Sequence, residues 1–403
     1  MKMTSRFALV AAAGLLLGAT VSAKAVKAAD LGGGCCADLE ERVAELEATT
    51  ARKGNRVVSL QIYGQVNKGL LIWDDGQNSD AYIVDTDESG TRMGAIGTAT
   101  ISPGMTAGFN IEYDLQQAPS NDVSATNDNP TFVDGGDTPE SEQQRSLFGL
   151  RIANLYVESA RFGRVTIGHG SAASDYASEV VLGNSLSTSN ILVGNSFVIN
   201  GSGSKLSSWT SNLDGSRNNN VRYDSPEFYG FIASASWGEN DQWDAALRFK
   251  KEWNSIRVAA ALAYQDSHDD TLFSGTKGHF TVVDGSISVM HVPTGIYGAF
   301  AAGSKDFDDK AFADPSFWYV QGGIEKKFLP YGSTTLYADY GIYDDFIDNG
   351  SEATRWGLGI VQKIDSAAMD IYAKGYFYSF DQGNCEGSCD DLSMVLVGSR
   401  IKF

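Results

Sequence analysis

The chain has little of what most enzymes and most helical membrane proteins need. Beyond Val21 no apolar run approaches the roughly 18 residues of a membrane-spanning helix, so any crossing of a bilayer must use strands closed into a barrel. Its 403 residues include four cysteines and four histidines. None of His169, His268, His279 and His291 lies in H-E-x-x-H, and no G-x-S-x-G or P-loop occurs. Catalysis, a resident cofactor and a metal site are therefore not expected. Basic residues are also short, with 31 Lys and Arg against 50 Asp and Glu. That balance argues against nucleic acid as a partner and suits a cation-binding surface or a pore that admits cations.

Prolines number only 8, whereas Gly (44), Phe (20), Tyr (17) and Trp (7) are plentiful. Modest hydrophobicity with many aromatics and glycines fits a transmembrane barrel, in which only every second strand residue meets lipid. A soluble β protein would share that composition.

Compartment is read from the N-terminus. Lys2 and Arg6 precede the apolar run Phe7 to Val21, and small residues follow, the order of a secretory signal ending near Ala28 or Ala29. Removing residues 1–29 takes four basic residues and leaves 27 against 50 acidic, a net charge of −23. Residues 30–56 follow as a periplasmic segment. In it Leu39, Val43, Leu46 and Thr50 have coiled-coil spacing, but two heptads are too few to stand alone. Three copies brought together by a trimeric barrel would form a short bundle; otherwise the segment is a solvated helix or a frayed leader.

From Val57 to Phe403 the texture becomes alternating segments of about ten residues separated by turn chemistry. The last, "LSMVLVGSRIKF", sets Val395, Val397, Ser399 and Ile401 on one face and Met394, Leu396, Gly398, Arg400 and Lys402 on the other. Short connectors such as "SPG", "ARFG" and "LPYG" alternate with long polar ones. The expectation is an all-β fold, a transmembrane antiparallel barrel of about 16 strands with a short N-terminal helical or coiled-coil segment. Two connections exceed an ordinary loop. Asp114 to Arg145 carries seven acidic residues and one arginine, and is either an ion-binding external loop or a solvated acidic run. Residues 170–218 are too apolar for a linker and must bury themselves, for which the lumen is available.

Cys385 and Cys389, in "NCEGSCDD", are placed to close a small disulfide ring. Adjacent Cys35 and Cys36 link chains or stay free. His169, after "VTIG", is expected to line the pore.

The order of "YGQVNKGLLIWDDG", "SGTRMGAIGTATI", "RIANLYVESARFGRVTIGHG", "SAASDYASEVVLG", "NNNVRYDSPEFYGF" and the terminal Phe403 resembles the porins of alphaproteobacteria, within the trimeric general-porin superfamily. The resemblance implies a homotrimer in the outer membrane, in contact with its lipid and lipopolysaccharide, each barrel narrowed by an inward-folded third external loop. It also implies a basic wall of Arg92, Arg151 and Arg222, an acidic loop side of Asp175 and Glu179, and Phe403 as the membrane-assembly signal. Gln65 stands where relatives often carry a basic residue, which weakens that wall. The implied function is passive passage of ions and small hydrophilic solutes through a water-filled channel. The rivals are an outer-membrane barrel enzyme of lipase or protease type and a soluble exported adhesin.

Overall fold

In the computed structural model, residues 57–129, 149–271, 277–309, 311–381, 385 and 388–403 are described. The expected signal segment 1–29, the segment 30–56 with its seam and Cys35–Cys36 pair, and residues 130–148 of the acid-rich connection lie outside them.

Seventeen strands form: β1 (Ser59–Asp74), β2 (Ser79–Asp85), β3 (Arg92–Ser102), β4 (Met105–Asp114), β5 (Gly149–Ser159), β6 (Gly163–Ser171), β7 (Arg217–Asp224), β8 (Phe231–Gly238) and β9 (Trp243–Trp253). The chain continues through β10 (Ile256–Thr271), β11 (Lys277–His291), β12 (Ile296–Phe307), β13 (Ser316–Leu329), β14 (Gly332–Asp344), β15 (Glu352–Ile364), β16 (Met369–Asp381) and β17 (Leu392–Lys402). Each pairs antiparallel with its sequence neighbours, with one exception. The upper half of β1 pairs with β2 (Lys68 with Asp85) and the lower half with β3 (Gln65 with Arg92). β2 and β3 are thus two halves of one stave, interrupted at residues 86–91. Counted that way the barrel has sixteen staves, and β1 meets β17 to close it.

Closure explains the dyad pattern. On β15, Ala353, Arg355 and Val361 are buried inside, whereas Trp356 and Leu358 are about half exposed outside. On β12, Tyr297, Ala299 and Ala301 face in and Ile296 and Phe300 face out. The expected split of the last strand also holds: Met394, Leu396 and Arg400 are buried, and Ile401 is exposed. Exposed apolar side chains circle the outside, and aromatics gather at both ends: Phe162, Tyr229, Trp253 and Tyr331 at one, Trp237, Trp243, Tyr340 and Trp356 at the other. That is an apolar band with aromatic girdles. Among the described residues no helix is long and apolar enough to cross a membrane.

Among the described residues one rim has short connections, the longest being residues 225–230. In "SPG", Gly104 takes φ +79°, a left-handed value that glycine adopts without steric cost. The other rim carries the long connections. There Cys385 and Cys389 form the expected disulfide in the loop between β16 and β17.

Candidate functional site

The third long-rim connection, residues 172–216 (loop 3), folds into the barrel, as its apolar content requires. Ile191, Val193, Phe197, Ile199, Leu206 and Trp209 are buried against inner-wall side chains such as Trp73, Tyr343 and Met394. Each large apolar side chain so buried contributes about 1.5–3 kcal/mol. Trp73 meets Phe197 edge-on, with centroids 5.0 Å apart. The single helical turn α1 (Leu206–Trp209) sets Leu206 and Trp209 into this cluster.

Polar ties fix the loop's path around the wall. Ser174 N donates to Asp244 Oδ2 on β9 at 2.8 Å. Val180 N and Leu182 N donate to Ser286 Oγ (2.9 Å) and Ser288 Oγ (3.1 Å) on β11. Asn184 N donates to Glu325 on β13 at 2.9 Å, and Lys374 Nζ on β16 donates to Leu186 O at 2.6 Å. Arg355 on β15 donates to Ser187 Oγ at 3.0 Å. The loop therefore lines the barrel from β8 round to β16.

A second inward feature was not legible in the sequence. The interruption at 86–91 turns into the lumen as a 3₁₀ turn, Asp87–Ser89, and lies over β1 and β17. Gln65 Nε2 donates to Ser89 O and Gly90 O, both at 2.7 Å, and Arg400 Nη1 donates to Ser89 Oγ at 2.7 Å. Glu88 reaches Lys374 and Tyr376 on β16. Gln65 points inward as expected, but it is 5% exposed and holds this turn instead of facing the open lumen.

Opposite loop 3 the wall of β3 to β7 carries the charges. Arg92, at the start of β3, places Nε 3.6 Å from Glu112 Oε2, and Arg151 Nε lies 2.7 Å from Glu112 Oε1. Arg151 Nη1 is 3.7 Å from Asp114. Between β4 and β5 the register skips Arg151, pairing Glu112 with Ile152 and Tyr113 with Leu150. Such a bulge re-aims a side chain. Tyr63 OH donates to Glu112 Oε2 at 2.9 Å, fixing the carboxylate between the arginines.

Loop 3 meets this wall with Tyr176, held at φ +67°. Arg151 Nη2 donates to its hydroxyl at 3.4 Å, and Arg217, at the start of β7, donates to the same oxygen. Arg151 and Arg92 thus come together, whereas Arg222 does something else. It pairs with Asp224 at 2.7 Å and donates to Ala172 O at 2.9 Å, at the root of loop 3. Arg248 on β9 supports the same root through Ala173 O (2.7 Å) and Asp175 O (2.8 Å).

Asp175 and Glu179 do not form ion pairs across the lumen with Arg92 or Arg151. Asp175 is buried, and burial raises its pKa against a hydrogen bond from Ser171 and the pull of Arg217. Glu179 is turned into its own loop by Thr188 (3.1 Å), Asn190 (2.8 Å) and Asn212 (3.2 Å), and burial raises its pKa too. The carboxylates that meet the arginines are Glu112 and Asp114, on the same wall. A sequence signal existed, since "NIEYD" puts Asn110, Glu112 and Asp114 on one face. His169 is corrected as well: it pairs with Ala153 and Asn219, in the outward register of Val165 and Ile167, and does not line the pore.

At the foot of loop 3, Asp214 accepts from Ala177 N at 2.8 Å and faces Asp284 of β11. Burial, then the Asp284 charge, pushes its pKa up to about 10. Its proton is kept in the folded state and lost in the unfolded chain above about pH 4. The stabilisation is complete below that pH and is lost as pH rises toward 10. Asp214→Asn is expected to flatten this alkaline loss; identical pH profiles of thermal unfolding for both chains would contradict it.

A closed barrel with an apolar outside and a polar, loop-narrowed inside is a membrane channel architecture. The profile of Gram-negative porins matches residues 8–383, and the chain belongs to that family. It is an outer-membrane porin, a multi-pass β-barrel. Solved structures agree in fold. The anion-selective porin of Comamonas acidovorans is 17% identical over 86% of this chain and 100% of its own, with a TM-score of 0.59. The outer-membrane channel DcaP of Acinetobacter baumannii is 13% identical over 88% and 100%, with a TM-score of 0.56. OmpF of Salmonella typhi, in complex with daunomycin, is 12% identical over 86% and 98%, with a TM-score of 0.54. No curated protein matches the chain.

Proposed function

We propose that the channel passes small hydrophilic ions and solutes passively, without catalysis, and that its charge preference is set where Tyr176 of loop 3 faces Arg92, Arg151 and Arg217. The observation that carries this reading is the shared Glu112, clasped by Arg92 and Arg151 on the wall opposite the loop. Arginines and carboxylates set side by side on one wall of a narrow aqueous passage produce a steep local field, which favours hydrated polar solutes over apolar ones. Three arginines against Glu112 and Asp114 leave the narrow zone slightly positive, although the chain as a whole has an excess of acidic residues. Distant charges are screened within about 10 Å, so the narrow zone decides.

Arg222 belongs to this reading as an anchor of the loop root and Arg151 as the selecting charge. Reversal potentials in a salt gradient test it. Arg151→Ala is expected to move selectivity toward cations and Glu112→Gln toward anions, with the barrel intact in both. Equal reversal potentials in the two variants would remove these residues from the selectivity role.

The alphaproteobacterial likeness, the signal at 1–29 and a homotrimer with residues 30–56 gathered below it complete the proposal. The trimer is supported by one similar structure, OmpT of Vibrio cholerae, described in trimer form. Chemical cross-linking in detergent reads the oligomer directly, and a monomer alone would end that part.

A further inference from the structure

Outside the lumen, at the long-loop end of β10 to β12, four side chains gather that the channel reading does not use. Asp266 and His268 lie on β10, His279 on β11, and Asp308 just beyond β12. Tyr264 precedes Asp266 in the outward register and packs at a tilt against Trp243 of the outer aromatic girdle, with centroids 5.3 Å apart. The cluster therefore sits at the outer membrane surface, above that girdle.

The geometry is convergent. Asp266 Oδ1 lies 2.8 Å from His268 Nδ1 and 3.1 Å from His279 Nε2. Its other oxygen accepts from Tyr264 OH at 3.2 Å, which orients the carboxylate. The two imidazoles lie 4.3 Å apart between centroids. The second nitrogen of His279, Nδ1, lies 2.7 Å from Asp308 Oδ2. One ligand atom from each of Asp266, His268 and His279 lies within 4.8 Å of the others.

A neutral imidazole has one N–H and can donate to only one of two carboxylates. If His279 donates from Nδ1 to Asp308, its Nε2 lone pair points at Asp266, and a cation between them turns that opposition into coordination. Tetrahedral zinc with bonds of about 2.0–2.2 Å sets its ligand atoms roughly 3.3–3.6 Å apart, so the 2.8 and 3.1 Å contacts of Asp266 would each open by roughly half an ångström to admit the ion. A carboxylate on the far nitrogen of a ligating histidine is the usual device for fixing its tautomer and orientation. Two imidazoles with a carboxylate favour a borderline transition cation over magnesium or calcium, which prefer all-oxygen shells.

We propose that Asp266, His268 and His279 form a zinc-class divalent cation site on the outer rim of the barrel, with Asp308 as its positioning residue. The site is independent of permeation, because its side chains face away from the lumen.

The test uses the full chain purified in detergent, stripped with a chelator and titrated with Zn²⁺ alone. One Zn²⁺ per chain is expected, with two imidazole nitrogens visible by X-ray absorption, and an equal concentration of Mg²⁺ does not displace it. His268→Ala and His279→Ala each abolish stoichiometric binding. Asp308→Asn weakens it by roughly tenfold to hundredfold, and Asp308→Glu recovers part of the loss. Single-channel conductance and heat-modifiable migration stay unchanged in every variant, which separates this site from the channel reading. Absence of stoichiometric Zn²⁺ on the native chain, displacement by Mg²⁺, or equal binding by the His268→Ala/His279→Ala chain overturns the proposal.

Discussion

Replacing Arg355 with Ala is expected to loosen loop 3 while leaving the barrel wall closed. Arg355 is 1% exposed, on the inner face of β15. Its Nε lies 3.3 Å from Asp339 Oδ1, its guanidinium sits over the rings of Tyr319 and Tyr376, and it donates to Ser187 Oγ and Thr188 O of the loop. Removing one partner of a buried ion pair strands the other charge and costs about 3–5 kcal/mol. Here the stranded group is Asp339, and the middle of the loop loses two hydrogen bonds as well. Thermal unfolding should fall clearly, and single-channel records should show added conductance levels in place of one steady state. The double variant Arg355→Met/Asp339→Leu separates the two effects. An apolar replacement of the pair restores much of the stability, but the loop stays untied and the unsteady current persists. A steady current in Arg355→Ala, with unchanged unfolding, would show that the loop is held without this residue.

The second large effect lies at the seam where the chain's end meets its first strand. Phe403 N donates to Gly64 O, and Gly64 N donates to Phe403 O, both at 3.0 Å. The Phe403 ring lies directly over Gly64: a Cβ at that position would stand 2.5 Å from Phe403 Cζ and 2.8 Å from Arg92 O. Gly64→Val therefore pushes against both the ring and the neighbouring strand, with an overpacking cost of about 1–3 kcal/mol. Deleting Phe403 removes the two hydrogen bonds, each worth about 1 kcal/mol net, together with the ring. Urea unfolding in detergent should give lower midpoints for both variants. The strain in Gly64→Val comes partly from the ring, so adding Phe403→Ala should relieve part of it, a non-additivity expected of residues in contact. Strictly additive losses would mean that the ring and Gly64 do not meet.

The barrel was largely readable because its signal is local. Alternation along "SMVLVGSRIKF" or "ATRWGLGIVQK" follows from the two faces of a strand, and turn residues such as Pro103-Gly104 mark the ends. The inward path of residues 172–216 was readable for a related reason, since Ile191, Phe197 and Trp209 cannot remain in water. What escaped depends on which strands lie side by side. β2 and β3 are separate runs of sequence, yet they form one stave, because β1 is long enough to pair with both. The resemblance implies that Gln65 faces the lumen, but only the turn at 86–91 decides that it is covered. Asp175 and Glu179 lie on the inward loop as expected, but their carboxyl groups point into the loop, and the partners of Arg92 and Arg151 come from β4. His268 and His279 stand eleven positions apart in the chain, with no metal-binding spacing, and become a cluster only across β10 and β11.

The sequence by itself determined that the chain forms strands with an oily face and a wet one, that they close into a barrel, and that one long semi-apolar connection must be buried. These follow from period, composition and the cost of exposing apolar or unpaired groups, all of which act within a short stretch. The tertiary structure alone decided which charges face each other inside and which ligands meet outside. Those contacts are set by register between strands, a quantity that no single segment carries.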